Sequence, residues 1–347
     1  MADGTPIRTA IIGYGLSGRI FHAPFIAANP RFSLEAISTS DPGRRAEAAR
    51  EHPGAEIAGS PEELLAQRFD LVVLGSPAHV HLEQGLSALA LGAALVVDKP
   101  FAASVTEAEQ LIAAATSSGR PLVVFQNRRW DGDFLTLRKL LRDGALGEVH
   151  RFDSAFERWS PELRPRWQDT TTTSQGAGIV FDLGSHLIDQ ALQLFGPARL
   201  TTAELSILRP GGVSADEAFL SLLHDSGTRS HLTMSRYATR IGPRFRVLGS
   251  TAGYMIHGLD VQEPALVAGA SPADANFGLV PAEAWGTLGI EGSDAPPVRV
   301  PTERGDYGRF YAHVADAIRD GAPPPVDPHD ALATLRIITR AHELAGI

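Results

Sequence analysis

In the stretch GAGIVFDLGSHLIDQ, residues 176–190, two carboxylates and an imidazole recur at helical intervals: Asp182, His186 and Asp189. Spacings of four and three set these side chains along one face of a helix. A face packed on a core does not ordinarily carry three ionisable groups, so the triplet points to chemistry. An imidazole titrates in the range where it can take the proton of a hydroxyl. Asp182, one turn earlier, can orient that ring or hold a second hydroxyl. Two other readings fit the same spacing: a buried, satisfied Asp–His pair, and an ion shared between Asp182 and His186. No third metal ligand stands out, so no metal is expected. Asp189 either braces His186 or points to a neighbouring element.

Lys99 is the second candidate. It ends the apolar run ALVVD, residues 94–98, and stands between Asp98 and Pro100. An ammonium there can hold and polarise a hydroxyl or carbonyl oxygen, and a dry site would lower its pKa. The plainer alternative is a strand-end Lys facing water. The third candidate is the turn Gly13-Tyr14-Gly15-Leu16-Ser17-Gly18. It follows an apolar strand at residues 8–12, opens a helical pattern running towards Asn29, and is followed by a strand at residues 33–38. That context gives a GxGxxG spacing meaning in a chain with 34 glycines. Gly13 allows the tight turn, Gly15 the approach of a pyrophosphate, and Gly18 the packing of helix on strand. Leu16 and Ser17 complete the expected dinucleotide contacts, beside the unpaired N–H groups of the helix start.

The elements around these residues alternate. A short helix at 60–67, with Ser60 as cap and Pro61 at its first position, precedes an unbroken apolar strand at 70–75. A helix at 79–91, a strand at 94–98, a helix at 104–118 and a strand at 122–126 follow. Repeated strand–helix units predict a doubly wound parallel sheet whose ligand crevice lies beyond the carboxyl ends of its strands. Ser76–Pro77, Asp98–Lys99 and Gln126–Asn127 stand at such ends, which makes Ser76, Pro77, Asp98 and Asn127 expected cofactor contacts. At the end of the second strand, NAD-preferring folds place an acid, whereas NADP-preferring ones place small polar residues and Arg. Here the chain reads Ser38-Thr39-Ser40-Asp41-Pro42-Gly43-Arg44-Arg45. Ser38, Thr39, Ser40 and Arg44 favour NADP(H). Asp41 fits the cap of the next helix and leaves NAD open.

After residue 131 the texture changes. A helix at 131–142 gives way to strand-like runs at 148–158, 200–208, 217–224, 229–236 and 244–249, interrupted by a helix at 182–195. Consecutive strands predict an antiparallel sheet with one face on helices and one open to a partner, hence a homodimer or homotetramer. Loops at 268–275 and 291–302 read as mobile. Tyr307, Phe310, Tyr311, Val314 and Ile318 recur at helical spacing and read as core. The expected architecture is a Rossmann domain, 1–126, and an α+β substrate-binding and oligomerisation domain, 127–347, whose last helix can return to the first.

Net charge −9 disfavours nucleic acid and anionic membranes as partners. The absence of cysteine excludes disulfides, thiolate metal sites and a Cys nucleophile. No apolar run reaches the ~18 residues needed to span a bilayer, and the N-terminus lacks a signal-peptide pattern. A cytoplasmic protein is expected.

Four stretches in order resemble the Gfo/Idh/MocA oxidoreductases: GYGLSGRIFHAPF, SPAHVHLEQGLSALALGAALVVDKPFA, QNRRWDGDF and GAGIVFDLGSHLIDQAL. The resemblance covers nearly the whole chain, and its FHAPF and NRRWD segments are similar to a subgroup that includes NADP-dependent inositol dehydrogenases. It departs at Ser76 and Ala78, where the family has Thr and Asn, at Ala177 in a commoner Gly-Gly-Gly, and at Asp98, a methylene shorter than the family's Glu. The resemblance implies a hydride exchange between a nicotinamide cofactor and a secondary hydroxyl of a sugar, inositol or related polyol. It implies that Lys99 lies beside the nicotinamide and holds the reacting oxygen, and that His81 fixes the Ser76–Pro77 turn at the cofactor. Arg128, Arg129, Trp130, Trp159, Arg166 and Trp167 are expected to border the substrate cleft, with Arg128 and Trp159 as contacts. His22 is expected at the edge of the nicotinamide pocket, and His79 at the surface. The family also holds glycosidases that use bound nicotinamide transiently, and the fold holds non-catalytic nucleotide-sensing regulators. The intact Lys99, Asp182 and His186 argue against a regulator.

Overall fold

The structure is a computed structural model that describes residues 4–164 and 166–346. The chain divides into two compact units. The first comprises Met1–Asn127, Gln262–Phe277 and Asp306–Leu332; the second comprises Arg128–Val261, Gly278–Gly305 and Ala333–Ile347.

The first unit is built on six parallel strands: β1 (Ile7–Ile12), β2 (Phe32–Ser38), β3 (Glu56–Ala58), β4 (Leu71–Leu74), β5 (Ala94–Val97) and β6 (Leu122–Val124). Their order is β3-β2-β1-β4-β5-β6, the doubly wound arrangement, and the reversal falls between β1 and β4. β4 and β5, LVVL and ALVV, are buried at every position, as central parallel strands covered on both faces must be. Side chains close the helix starts: Ser60, Ser104 and Asp41 accept from the backbone N–H of Glu63, Glu107 and Arg44. Helix Gly308–Asp320 adds Phe310, Tyr311 and Val314 to this core, and Phe310 meets Phe125 edge-on at 4.8 Å. Ile318 of the same stripe is half-buried.

The second unit holds eight strands: β7 (Val149–Glu157), β8 (Ala198–Ser206), β9 (Glu217–His224), β10 (Arg229–Ser235), β11 (Phe245–Gly249), β12 (Gly253–Ile256), β13 (Thr287–Gly289) and β14 (Val298–Arg299). The order is β14-β13-β12-β11-β7-β10-β9-β8, with every pair antiparallel except β7–β10. Alternation along β9 and β10 sends Leu220, Leu222, Leu232 and Met234 to a buried face. Helix Ser185–Phe195 lies on that face, with Phe195 against Phe152 at 5.3 Å and Leu187, Ile188 and Ala191 fully buried.

Helix Pro328–Ala345 runs through the boundary between the units at Leu332. Among the described residues no helix is long and apolar enough to cross a membrane.

Candidate active site

Gly13 and Gly75 end β1 and β4, the two strands flanking the reversal. Gly13 has φ +94°, and a Cβ on it would stand 2.8 Å from the Gly75 carbonyl group. A Cβ on Gly18 would collide with the Gly13 carbonyl oxygen. The protein itself therefore demands both glycines. Gly15 differs: a Cβ there would meet only the Arg44 guanidinium, at 3.6 Å. The protein's own packing does not demand a glycine there. Leu16 beside it is 58% exposed, and the Ser17 hydroxyl is buried with no protein partner. After Leu16 the chain enters wide π-helical turns, Ser17–His22, before the α-helix Ala23–Ala28. π-turns are concentrated at functional sites.

Ser38 and Thr39 at the end of β2 are buried, while Ser40 and Arg44 are exposed. Asp41 caps the helix Pro42–Glu51 through the Arg44 N–H at 2.8 Å. Asp41, the acid that follows the strand end, is thus engaged with its own helix, and the Arg44 guanidinium stands beside the glycine turn. The turn is tied to the same helix: the Tyr14 hydroxyl donates to Glu51 at 2.8 Å, and Arg19 pairs with Glu51 and Glu47.

Asp98 and Lys99 leave β5. The Asp98 carboxylate, 8% exposed, accepts the Lys99 N–H at 2.7 Å, and the Lys99–Pro100 peptide is cis. Lys99 itself is half-buried. His81 is fully buried: Nε2 lies 2.9 Å from the Ser76 carbonyl oxygen and Nδ1 3.1 Å from that of Phe101. Burial lowers its pKa, outweighing the carbonyls that favour the charged ring. His22 is also fully buried, with Nδ1 2.7 Å from the Tyr311 hydroxyl and the ring against Phe125 at 4.3 Å. Burial pushes its pKa down to about 4, against the smaller opposing pull of Asp98. Asn127 is buried, and His79 is exposed.

In the second unit, the helix of the Asp-His-Asp triplet opens with a second π-helical segment, Val180–Gly184, before Ser185–Phe195. Asp182 sits in the wide turn; His186 and Asp189 sit in the regular helix. The Asp182 carboxylate, 19% exposed, pairs closely with Arg236, whose side chain is 4% exposed. His186 is buried. Asp189 takes Arg129 in a two-pronged buried pair, at 2.6 and 2.8 Å. It points to a neighbouring element, as one of its two sequence readings allows. Next to it, Gln190 accepts from Arg244 at 2.7 Å and donates to the Arg128 carbonyl at 3.0 Å.

Arg128 is buried, lies over the Phe156 ring at 5.1 Å and stands 3.4 Å from Asp131. Trp130 is buried. Arg166 pairs with Asp169 at 2.8 Å, and Asp169 also takes Arg209. Trp159 is 51% exposed and packs on Tyr237 at 4.7 Å, the two joined by an isolated antiparallel bridge just beyond the ends of β7 and β10. Arg236 and Tyr237 were not anticipated in the sequence. Both follow β10: Tyr237 meets Trp159 beyond the strand ends, and Arg236 meets Asp182 where the π-helical segment packs on β10.

These halves define the class: a nucleotide-binding turn with an Arg beside it and a Lys at a strand end, and a second unit carrying Asp182 and His186. That is a nicotinamide-dependent oxidoreductase. The model of the oxidoreductase family with an NAD-binding Rossmann fold matches residues 7–126, and the Gfo/Idh/MocA C-terminal domain matches residues 134–255. Scyllo-inositol 2-dehydrogenase (NADP(+)) IolW of Bacillus subtilis is 35% identical, over 97% of this chain and 93% of its own. Oxidoreductase YdgJ of Escherichia coli, of uncharacterised activity, is 37% identical over 98% and 96%. Among solved structures, oxidoreductase yvaA of Bacillus subtilis matches with TM-score 0.93 at 33% identity, covering 100% of this chain and 98% of that one. The chain belongs to the Gfo/Idh/MocA oxidoreductase family.

Proposed function

We propose that the protein is an NADP-dependent dehydrogenase acting on a secondary hydroxyl of a cyclitol, sugar or related polyol. The observation that carries the cofactor reading is the Arg44 guanidinium beside Gly15, with Ser38 and Thr39 rather than a carboxylate at the end of β2. It agrees with the NADP(+) in the name of the Bacillus relative. Gly13, Gly15, Leu16, Ser17 and Gly18 would hold the pyrophosphate, Ser40 and Arg44 the 2′-phosphate side, and Ser76, Pro77, Asp98 and Asn127 the nicotinamide side.

When bound, the nicotinamide supplies the hydride acceptor; the residues supply the rest. Lys99, its backbone fixed by Asp98, would hold the reacting oxygen as an ammonium. His186 would take the hydroxyl proton, and Asp182, anchored by Arg236, would orient the neighbouring hydroxyls. Trp159 packed on Tyr237 presents an exposed aromatic face of the kind that suits the C–H face of a polyhydroxylated ring. The half-exposed outer face of the second sheet would pair with a second copy, giving a homodimer or homotetramer that sedimentation velocity would register.

The test is kcat/KM for NADP+ and NAD+ with scyllo-inositol and a polyol panel, in the wild type and Arg44→Ala. NADP+ should be preferred, and Arg44→Ala should cost about 10–100-fold with NADP+ and little with NAD+, the value of one charge-assisted contact. Equal or better efficiency with NAD+ sinks the cofactor reading. Cleavage of aryl glycosides with no net absorbance change at 340 nm replaces the reaction by the family's glycosidase chemistry.

A further inference from the structure

His81 touches two segments that the proposed chemistry needs. Its Nε2 meets the carbonyl of Ser76, at the carboxyl end of β4, and its Nδ1 meets the carbonyl of Phe101, two residues beyond Lys99. The ring is fully buried at the start of helix His81–Ala90, and its contact with the Phe101 carbonyl is buried as well. Ser76 is held a second way, its hydroxyl donating to Gln84 at 2.6 Å, one turn along that helix. The Lys99 segment is held at its other end by the Asp98 carboxylate on the Lys99 N–H.

We propose that His81 is a positioning residue for the reaction: it ties the Ser76–Pro77 turn, which seats the nicotinamide side of the cofactor, to the Lys99–Phe101 segment, which carries the reacting-oxygen contact. This rests on the dehydrogenase reading given above. His81 therefore acts on cofactor and substrate through the backbone, with no contact of its own to either. A neutral imidazole has one N–H for these two carbonyls, and only the imidazolium has two. Donation to both carbonyls at once takes the doubly protonated ring, which the two carbonyls favour and burial opposes.

The two bonds separate by isostere. Asn places an amide donor where Nδ1 lies, and Gln places one near Nε2. His81→Gln keeps the bond to Ser76 and loses the one to Phe101; His81→Asn does the reverse. In His81→Gln the dissociation constant for NADPH, read by nicotinamide fluorescence, should stay within about threefold while kcat falls at least about tenfold. In His81→Asn the NADPH dissociation constant should rise at least about tenfold, and kcat at saturating cofactor should stay within about threefold. Hydrogen–deuterium exchange on the cofactor-free protein gives a readout independent of turnover. His81→Gln should speed exchange at Lys99 to Ala102, and His81→Asn at Gly75 to Ala78.

The proposal is overturned if both variants move both parameters together in step with Tm, or if neither segment changes its exchange. If the exchange pattern appears and no polyol is oxidised by the wild type, the tie stands and the dehydrogenase reading fails. Should neither variant fold, the wild-type imidazole ¹⁵N spectrum decides. A ring N–H protected from solvent exchange is expected, and two freely exchanging ring nitrogens refute the tie.

Discussion

Replacing Asp189 by Ala should destabilise the protein and leave its chemistry in place. Asp189 and Arg129 are 2% and 8% exposed at their side chains and meet through two bonds of 2.6 and 2.8 Å. Such a pair is a weak net stabiliser compared with apolar replacements, but removing one partner abandons the other charge in a dry site, at about 3–5 kcal/mol. At about 2–4 °C per kcal/mol for a unit of this size, Tm should fall by roughly 6–20 °C. Asp189→Asn keeps the shape and one acceptor, and should lose about 1.5–3 kcal/mol, the value of a hydrogen bond to a charged group. Thermal unfolding followed by circular dichroism gives the first quantity. Initial rates at a temperature well below the lowered Tm give the second, and kcat there should stay within about fivefold of the wild type. An Asp189→Ala variant with unchanged Tm and abolished kcat would refute the reasoning, because the carboxylate would then belong to the reaction and not to Arg129.

The glycine turn offers a paired test. Gly18→Ala drives a methyl into the Gly13 carbonyl and should cost stability, whereas Gly15→Ala meets only the end of Arg44 and should leave Tm unchanged while raising the KM for the cofactor about tenfold or more. His22 yields a pH dependence with a definite sign. Its folded pKa of about 4 lies below the ordinary 6.5, so the unfolded chain takes up the proton first as pH falls. The stability linked to the neutral ring is present above about pH 6.5 and is lost progressively towards pH 4, by about 3 kcal/mol. Urea unfolding across that range should show a steeper loss in the wild type than in His22→Gln, and parallel curves would contradict the assignment.

Much of the first unit was legible because its signals are local. The apolar runs of β4 and β5 and the caps Ser60 and Asp41 each depend on residues within a few positions. β3 was not, since three residues, Glu56–Ala58, are too few to show a period, and β13 and β14 are hidden in the same way. The β7–β10 pair is parallel, although the run of consecutive strands reads as antiparallel; the connection between them passes through helix Ser185–Phe195 and two further strands. Gln262–Val267, to which the sequence assigned no element, is a helix of the first unit, where Gln262 accepts the Tyr307 N–H at 2.8 Å.

The site divides along the same line. Gly13, Gly18 and Lys99 announce themselves by type and by their place beside a strand. Asp189 pairs with Arg129, sixty residues away, and Asp182 with Arg236, where a helical segment packs on β10, contacts that no local pattern carries. The wide turns at Ser17–His22 and Val180–Gly184 have no sequence signature comparable to a cap or a glycine.

The central claim is that Lys99 and His186 carry the exchange of hydride and proton at a hydroxyl carbon while other residues hold the cofactor. Its most direct test is kcat with the best polyol substrate, measured beside the NADPH dissociation constant, in Lys99→Ala and His186→Ala. Each variant should lose about 10²–10⁴-fold in kcat, the usual range for a positioned proton-transfer or polarising group, with NADPH binding within about threefold of the wild type. Full turnover in either variant would contradict the account.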